Sequence, residues 1–392
     1  MIMEIKRRNI FKTIEPYYET PEAIIITGMR RTGKTTTLRY IHENISSKNK
    51  LFIDLENPLN RQYFEESNFE RIKSILINLG LDFSERVYLF IDEIQFVKNL
   101  PSVVKYFIDH YQTKFYLTGS ASFYLKNHFT ETLAGRKYIF HLYPLSFYEF
   151  LHFKNSTIRI PEQGDDIPQS LYTTISTEYE EYLEYGGFPG VVLKGSRDEK
   201  RRSLDDIFSS YFHLEVAELG DFRRNDIIRN LILLLMQRIG TKLDYQKISK
   251  ELGVSRPTLM RYTSFLCDTF FINLVSPLST GRDTEIRKAP KIYVCDCGLV
   301  NHFARLDAGH IFENGIFQSL LPKGEVHYYQ RKSGVEIDFI LKRQIAYEVK
   351  LNPTVNHYKQ LGLRAKDLGL DRYFIVSKNY SYQEDILYGF QL

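Results

Sequence analysis

The sequence predicts an α/β protein in which a parallel sheet, covered by helices, forms the N-terminal part of the chain. Between Glu22 and about His141, short apolar runs alternate with longer stretches of helical pattern, as is typical of parallel sheets. From Pro144 to about Gly240 the pattern is mostly helical, and from Lys291 onward it returns to mixed strands and helices. The apolar runs are Ala23–Thr27, Leu51–Leu55, Val87–Asp92, Lys114–Thr118 and Lys137–Leu142.

Composition places the chain among globular proteins. Its 392 residues are 43% hydrophobic and 26% charged, with a formal net charge of +4, which excludes an extensively disordered chain. The length favours about two to four domains. No run approaches the roughly 18 to 20 apolar residues of a membrane span, and residues 1–9 lack the pattern of a signal peptide. Because Cys267, Cys295 and Cys297 form no metal or disulfide pattern, we expect a cytoplasmic protein.

A phosphate-binding motif follows the first apolar run. Residues 28–35 (GMRRTGKT) fit G-x-x-x-x-G-K-[ST], and Thr36–Asn44 is compatible with a helix. Glycines in such a loop let backbone N–H groups face phosphates, and the helix N-terminus adds a partial positive charge. We therefore expect ATP with Mg²⁺ as the ligand, with Lys34 on the β- and γ-phosphates and Thr35 on the metal. The expected nucleotide-binding residues of the loop are Gly28, Arg30, Arg31, Thr32, Gly33, Lys34, Thr35 and Thr36.

Two further strand ends carry polar residues that would face this loop. One apolar run ends in Asp92 and Glu93, and acids at the end of a buried strand need partners. We expect Asp92 to join the Mg²⁺ shell through a water and Glu93 to orient the attacking water. The next run ends in Thr118–Gly119–Ser120, where the hydroxyl of Thr118 or Ser120 could sense the γ-phosphate. The alternatives are helix capping by the two acids and an ordinary turn.

These motifs resemble those of AAA+-type ATPases, which have a Walker A loop, an acidic Walker B strand and a polar sensor-1 strand. More narrowly, the chain resembles a widespread group of prokaryotic ATPases that carry an AAA-like domain and a C-terminal domain of unassigned function. The resemblance implies an AAA+-like P-loop sheet with a helical lid. It makes Arg136 the favoured arginine finger, often supplied by a neighbouring subunit, and so implies a homo-oligomer (hexamer or lower). Because Arg136 precedes an apolar strand, a surface salt bridge is the alternative. The segments that carry the resemblance are GMRRTGKT (28–35), LAGR (133–136), YPLSFYEF (143–150) and GGFP (186–189).

A helix–turn–helix pattern occupies Tyr245–Leu266. A short helical stretch ends at a glycine, and a second begins after Ser255, which can cap it. The spacing is typical of a winged-helix domain. Because basic residues cluster there, we expect DNA contact through Arg256, Thr258 and Arg261 on the exposed side of the second helix. A packing or protein-binding role is the alternative, since the net charge is small.

Two predicted strands near the C-terminal end carry paired charges. Glu348 and Lys350 are two residues apart and share one face of the second strand. A three-residue connection, Lys342–Gln344, would pair Asp338 with Glu348 and Glu336 with Lys350 on that face. A two-residue connection would put Asp338 on the other face. We expect the three-residue connection.

With Glu313 on a preceding helix, these charges resemble the restriction-endonuclease-like fold of the PD-(D/E)xK class, with Ile337 in the place of the proline. The resemblance implies that Asp338 and Glu348 hold Mg²⁺ and that Glu313 completes the metal shell. Lys350 would steady the nucleophile or the transition state. The alternatives are a charged hairpin held by salt bridges and a nuclease fold that only binds.

The patterns together predict four domains: a P-loop ATPase core (1–143), a helical lid (144–240), a winged helix (241–285) and a nuclease-like α/β domain (286–392). The leading hypothesis is an ATP-hydrolysing enzyme that binds or remodels DNA, such as Holliday junctions. A second hypothesis is a regulatory switch similar to STAND-type NTPases, acting through protein partners with an inactive nuclease fold. A third makes metal-dependent nuclease activity the principal chemistry.

Overall fold

The computed structural model describes residues 5–120, 132–219, 225–279, 288–331, 334–383 and 386–392. The chain divides into two units. The first comprises Met1–Tyr143 with Asp268–Phe270, and the second comprises Pro144–Cys267 with Phe271–Leu392. The four-domain division predicted from the sequence is finer than this and stays a prediction. No helix within the described ranges is long and apolar enough to cross a membrane.

A parallel sheet forms the centre of the first unit. Within the described residues it has five strands in the order β2–β3–β4–β1–β5, and every neighbouring pair is parallel. The parallel sheet predicted from the sequence is therefore confirmed, and the bounds of each run agree within one residue. The strands are β1 (Ala23–Thr27), β2 (Lys50–Asp54), β3 (Val87–Asp92), β4 (Thr113–Gly119) and β5 (Lys137–His141).

The burial of the strands explains why their sequences are so apolar. All residues of β1, β3 and β4 are buried, whereas the edge strands β2 and β5 are largely half-buried. Central parallel strands are covered on both faces and so carry continuous apolar runs. The helices of this unit are α1 (Asn9–Ile14), α2 (Lys34–Asn44), α3 (Pro58–Gln62), α4 (Phe69–Asn78) and α5 (Leu100–His110).

The charged side chain of Lys114, in β4, is buried within this sheet. Its Nζ donates hydrogen bonds to the carbonyl oxygens of Tyr17 at 2.8 Å and Glu22 at 2.6 Å. Burial lowers the pKa of Lys114 to about 7. The buried amine therefore ties the segment before β1 to the centre of the sheet.

The second unit begins with helices. Two of them, at Phe147 and Arg197, start with capping boxes in which Ser146 and Ser196 accept hydrogen bonds from backbone N–H groups, which satisfies donors that a helix start leaves free. A π-helical segment, Phe212–Leu219, extends the fourth helix of this unit. The helices are α6 (Phe147–Phe153), α7 (Gln169–Tyr185), α8 (Pro189–Val192), α9 (Arg197–Tyr211) and α10 (Asn225–Met236).

A helix–turn–helix is followed by an antiparallel strand pair. Ser255 caps the second helix as predicted, since its hydroxyl accepts a hydrogen bond from the N–H of Thr258 at 3.3 Å. Lys242 forms an isolated antiparallel bridge with Lys291, the first residue of β7. The elements are α11 (Tyr245–Glu251), α12 (Arg256–Asp268), β6 (Ile272–Val275) and β7 (Lys291–Val294).

A mixed sheet ends the chain. In the part of it that the structure describes, the strand order is β12–β11–β10–β9–β8. Residues Lys342–Gln344 connect β9 to β10, and Leu341 faces Ile345 in the antiparallel register, so the predicted three-residue connection is confirmed. The elements are α13 (Cys297–Ala304), α14 (Ala308–Leu320), β8 (Val326–Gln330), β9 (Glu336–Leu341), β10 (Ile345–Lys350), α15 (Val355–Asp367), β11 (Arg372–Ser377) and β12 (Ile386–Tyr388).

Candidate functional site

The phosphate-binding loop lies between β1 and α2, at the carboxyl end of the parallel sheet. Lys34 is the first residue of α2 and is only 5% exposed. Its Nζ donates hydrogen bonds to the carbonyl oxygens of Gly28 and Met29, both at 3.0 Å. The ammonium group is thus turned back over the loop, where phosphate oxygens could replace the two carbonyl acceptors.

Two positions of the loop require glycine. A Cβ atom at Gly28 would lie 2.1 Å from the carbonyl oxygen of Leu142, which directly follows β5. Gly33 has a φ of +99°, a left-handed conformation that side chains with a Cβ rarely adopt. The two glycines of the motif therefore serve a close backbone approach and a turn into the helix. Arg31 also has positive φ, at 66°.

Arg8, outside the motif, braces the loop. Its guanidinium donates hydrogen bonds to the carbonyl oxygen of Thr32 at 3.0 Å and to that of Tyr143 at 2.9 Å. The side chain is only 9% exposed. No sequence signal distinguished Arg8 from Lys6 and Arg7, because its partners are distant in the chain.

Asp92 and Thr118 lie side by side at the ends of β3 and β4. The Thr118 hydroxyl donates a hydrogen bond to the Asp92 carboxylate. Burial raises the pKa of Asp92, and hydrogen bonds from Thr118 and Thr35 oppose that rise. The hydroxyl of Thr35 thus reaches the same carboxylate. The two expected Mg²⁺ ligands are together, and their oxygen atoms are of the kind that Mg²⁺ prefers.

Glu93, the expected water-orienting residue, has a left-handed backbone with φ of 56°. Its carboxylate accepts a hydrogen bond from the side-chain amide of Gln95, which also donates to the Ser120 hydroxyl at 3.2 Å. Gln95 was not predicted. Its polar side chain within the otherwise apolar segment 94–97 was the sequence signal that could have revealed it.

Arg136 lies at the amino end of the parallel strands, opposite the phosphate-binding loop. Its carbonyl oxygen accepts a hydrogen bond from the N–H of Ala23, the first residue of β1, at 2.8 Å. The loop follows Thr27, the last residue of the same strand. Five residues of β1 span roughly 13 Å at about 3.3 Å per residue, so Arg136 cannot reach a γ-phosphate held by its own loop. Its Nε donates to Asp109 Oδ1 at 2.6 Å, so the salt bridge left open as the alternative is present.

In the second unit, the charges of β9 and β10 share one face as predicted. Lys350 Nζ lies 3.0 Å from Glu348 Oε1 and 3.7 Å from Asp338 Oδ2. The Asp338 carboxylate also accepts a hydrogen bond from the N–H of Val349 at 2.8 Å. Burial, followed by the charge of Asp338, raises the pKa of Glu348 to about 7.

Sequence reasoning missed two residues of β7 that contact this group. The Tyr293 hydroxyl donates to Glu313 Oε1 at 2.7 Å, and Lys291 Nζ lies 3.7 Å from the same oxygen. Lys291 also forms an ion pair with Glu336. Burial raises the pKa of Glu313. In the sequence, Lys291 is only the first residue of an apolar strand. The packing of β7 in the folded chain brings its side chain to Glu313 and Glu336.

A third missed residue, Arg364 of α15, closes the group. Its guanidinium donates to the carbonyl oxygen of Glu336 at 2.7 Å and lies 3.5 Å from Glu348 Oε1. Among the residues that the structure describes, no three His, Cys, Asp or Glu side chains are placed to hold a metal ion. The metal-binding role expected of Glu313, Asp338 and Glu348 stays a prediction. Each of these carboxylates has one oxygen near a cation or a hydrogen-bond donor, whereas Glu348 Oε2 is buried with no hydrogen-bond partner among the described residues.

The residues expected to contact DNA lie on α12. Arg256 and Arg261 are exposed, and Thr258 is half-buried. The Thr258 hydroxyl is 2.8 Å from that of Ser255, so it belongs partly to the helix cap. Both arginine residues are exposed to solvent, and the Arg261 guanidinium lies over the ring of Tyr262, 5.9 Å from its centroid.

The parallel sheet, the loop after β1 and the acids after β3 define an AAA-type ATPase fold. Residues 20–151 match the family model of an AAA domain. Residues 176–310 and 308–387 match two models, each described as a domain of unknown function. The chain is thus an AAA+-like ATPase-fold protein with a C-terminal region of unassigned function, and the resemblance inferred from its motifs is confirmed.

Relatives span nearly the whole chain. An uncharacterised protein of Haemophilus influenzae is 27% identical over 97% of this chain and 95% of its own length. An uncharacterised protein of Methanocaldococcus jannaschii is 27% identical over 88% of this chain and 79% of its own length. Among solved structures, the Walker-type ATPase of Pyrococcus abyssi is similar over 77% of this chain and 96% of that chain, with 16% identity and a TM-score of 0.45.

Proposed function

We propose that this protein binds and hydrolyses ATP with Mg²⁺. The observation that carries the proposal is the convergence of hydrogen-bonded polar side chains at the carboxyl edge of the parallel sheet. Lys34 covers the loop, the hydroxyls of Thr35 and Thr118 reach Asp92, and Glu93 follows directly. These residue types are those that phosphate transfer to water requires.

Each residue has a separate part in that reaction. Lys34 places a positive charge against the β- and γ-phosphates, and the backbone N–H groups of the loop hold the phosphate oxygens. Thr35 and Asp92 would hold Mg²⁺, which neutralises phosphate charge when bound. Glu93 orients the water for in-line attack. Its carboxylate must first leave the amide of Gln95 that holds it in the structure.

We further propose that the second unit contains a winged helix that contacts DNA. Support comes from the order of elements, in which α10, α11 and α12 are followed by the β6–β7 pair, with Lys242 bridged to β7. Exposed basic side chains also surround the second helix of the motif, where phosphates could be met. They are Lys242, Lys247, Lys250, Arg256 and Arg261.

The decisive experiment measures ATP turnover with no DNA and with single-stranded, duplex and four-way-junction DNA. Wild type should turn over ATP and Lys34→Ala should not. Arg256→Ala/Arg261→Ala should keep basal turnover and lose stimulation by DNA, with binding that weakens as salt rises. Arg197→Ala/Arg202→Ala removes two exposed charges elsewhere in the same unit and serves as the matched control.

Two failures are distinguishable. If wild type neither binds nor hydrolyses ATP, the ATPase proposal is wrong. If it hydrolyses ATP but binds none of the DNAs at low salt, only the DNA proposal is wrong.

The second candidate is a nucleotide-dependent switch that acts through protein partners. It is favoured by the bracing of the loop, since Arg8 joins Thr32 to Tyr143 and Gly28 packs against Leu142. Phosphates that reshape the loop would therefore also move the segment that leads out of the first unit. Slow turnover that ignores DNA, with nucleotide-dependent protection of this segment from proteolysis, would favour the switch.

A further inference from the structure

Charged side chains from five elements meet in the second unit, and we call them the acid cluster. Four carboxylates face three cations, which leaves one negative charge in excess when all are ionised. The members are Glu313, Glu336, Asp338, Glu348, Lys291, Lys350 and Arg364.

Lys291 holds one side of the acid cluster. Its Nζ pairs with Glu336 and lies 3.7 Å from Glu313 Oε1, and the residue is only 5% exposed. Lys291 therefore places a buried ammonium group beside two carboxylates.

The strand that carries Lys291 is fixed in place. Tyr293 is completely buried and its ring stacks on Phe317 at 4.5 Å between centroids. The side-chain amide of Asn314 accepts a hydrogen bond from the N–H of Val294 at 2.9 Å and donates one to its carbonyl at 3.2 Å. These contacts fix the backbone of β7, and turning the Lys291 ammonium group away would leave the Glu336 carboxylate without this cation.

A divalent ion at the acid cluster would compete with these cations. Mg²⁺ needs oxygen ligands in a near-ideal arrangement. Lys291 lies against the carboxylates of Glu313 and Glu336. Lys350 lies against those of Asp338 and Glu348. A metal placed beside the buried ammonium group of Lys291 would also be repelled at low effective dielectric constant. Three of the four acid charges are thus already matched by cations of the protein itself.

We propose that Lys291 is a permanent internal cation that takes the electrostatic place of a metal, so that the acid cluster binds no divalent ion. The nuclease-like resemblance of β9 and β10 then concerns the fold and not metal-dependent cleavage. This inference is independent of ATP hydrolysis, because it concerns only residues of the second unit.

The test is Mn²⁺ binding to the full chain without nucleotide, counted by electron paramagnetic resonance of free and bound ion. Wild type and Asp338→Asn should bind the same number of ions. Lys291→Met should gain one site, with an affinity for Mn²⁺ at least about tenfold above any residual binding of the ion by wild type. Lys291→Met/Asp338→Asn should lose it. The control Lys288→Met removes an exposed lysine just before β7 and should match wild type.

The outcomes decide the proposal. One ion more on wild type than on Asp338→Asn would overturn it, because the cluster would then be a metal site. A folded Lys291→Met chain with no new site would overturn the role of Lys291. If Lys291→Met does not fold, the comparison of wild type with Asp338→Asn still decides whether the cluster binds metal.

Discussion

The side-chain amide of Gln95 donates a hydrogen bond to the carboxylate of Glu93. The same amide donates to the Ser120 hydroxyl at 3.2 Å, so Gln95 links the residues that follow β3 and β4. Glu93 also has a left-handed backbone. A residue outside every nucleotide-binding motif therefore holds the carboxylate proposed to orient water.

We expect Gln95→Ala to raise basal ATP turnover about threefold to tenfold. Releasing Glu93 would no longer break a hydrogen bond, which contributes about 1 kcal/mol net. The measurement is steady-state turnover at saturating ATP, with the ATP dissociation constant measured in parallel and expected to stay unchanged. Gln112→Ala, an exposed glutamine before β4, is the control. A fall in turnover would mean that Gln95 holds Glu93 in its productive position.

Glu93→Gln and Lys34→Ala should separate chemistry from binding. Removing the base at Glu93 should lower turnover about 100-fold or more and leave ATP affinity intact, because the carboxylate does not hold the phosphates. Lys34→Ala removes the charge over the loop and should weaken ATP binding itself. Fluorescent-nucleotide titration and turnover on the same samples check both. Wild-type turnover in Glu93→Gln would assign the water to another residue.

Arg136 can act only on nucleotide bound by a neighbouring copy, because it lies at the edge of the sheet opposite its own loop. If it does so, turnover per chain should rise with protein concentration, and Arg136→Ala should lower it by at least about 10-fold. Asp109→Asn removes only the salt-bridge partner and should keep turnover near wild type. Equal turnover of wild type and Arg136→Ala at all concentrations would mean that Arg136 has no part in hydrolysis and serves only in the salt bridge with Asp109.

The GGFP segment (186–189) is held by a buried acid. The N–H of Gly187 donates to Asp296 Oδ2 at 2.7 Å, and the N–H of Leu299 donates to Oδ1 at 3.2 Å. A Cβ atom at Gly186 would lie 2.0 Å from Asp296 Oδ1. Asp296 is 1% exposed, and burial raises its pKa from 3.8 to about 6 although these hydrogen bonds oppose the rise.

This pKa gives stability a predictable pH dependence. Between pH 3.8 and about 6 the folded chain keeps a proton on Asp296 that the unfolded chain has lost, so the free energy of unfolding falls as pH rises. At about 1.4 kcal/mol per pH unit, the free energy of unfolding should fall by about 3 kcal/mol in total across this window. Above pH 6 it should fall no further on account of Asp296.

Urea unfolding of wild type and Asp296→Asn across this window measures the loss, since the variant lacks that proton. The wild-type advantage over the variant should shrink as pH rises. Asp371→Asn, an exposed aspartate, should show no such change. A wild-type advantage that is constant with pH would contradict the assignment.

Local pattern predicted much of this protein. The strands of the parallel sheet and the phosphate-binding loop follow from apolar runs and from residue spacing within a few positions. The facing of Asp338 and Glu348 followed from a three-residue connection, because the turn length sets the register of a hairpin. These features depend on neighbours in the chain, so the sequence alone determined them.

The partners of the charged side chains depended on packing between distant segments. Arg8 meets Thr32 and Lys291 meets Glu336, over separations that no periodicity spans. Arg136 precedes β5, and the parallel pairing of β5 with β1 puts it at the end of the sheet opposite the loop. The packing of helices and sheets also decides which acids are buried, and which cation lies beside each of them. The residues able to perform chemistry were therefore determined by the sequence, and the tertiary structure decided which charges neutralise one another.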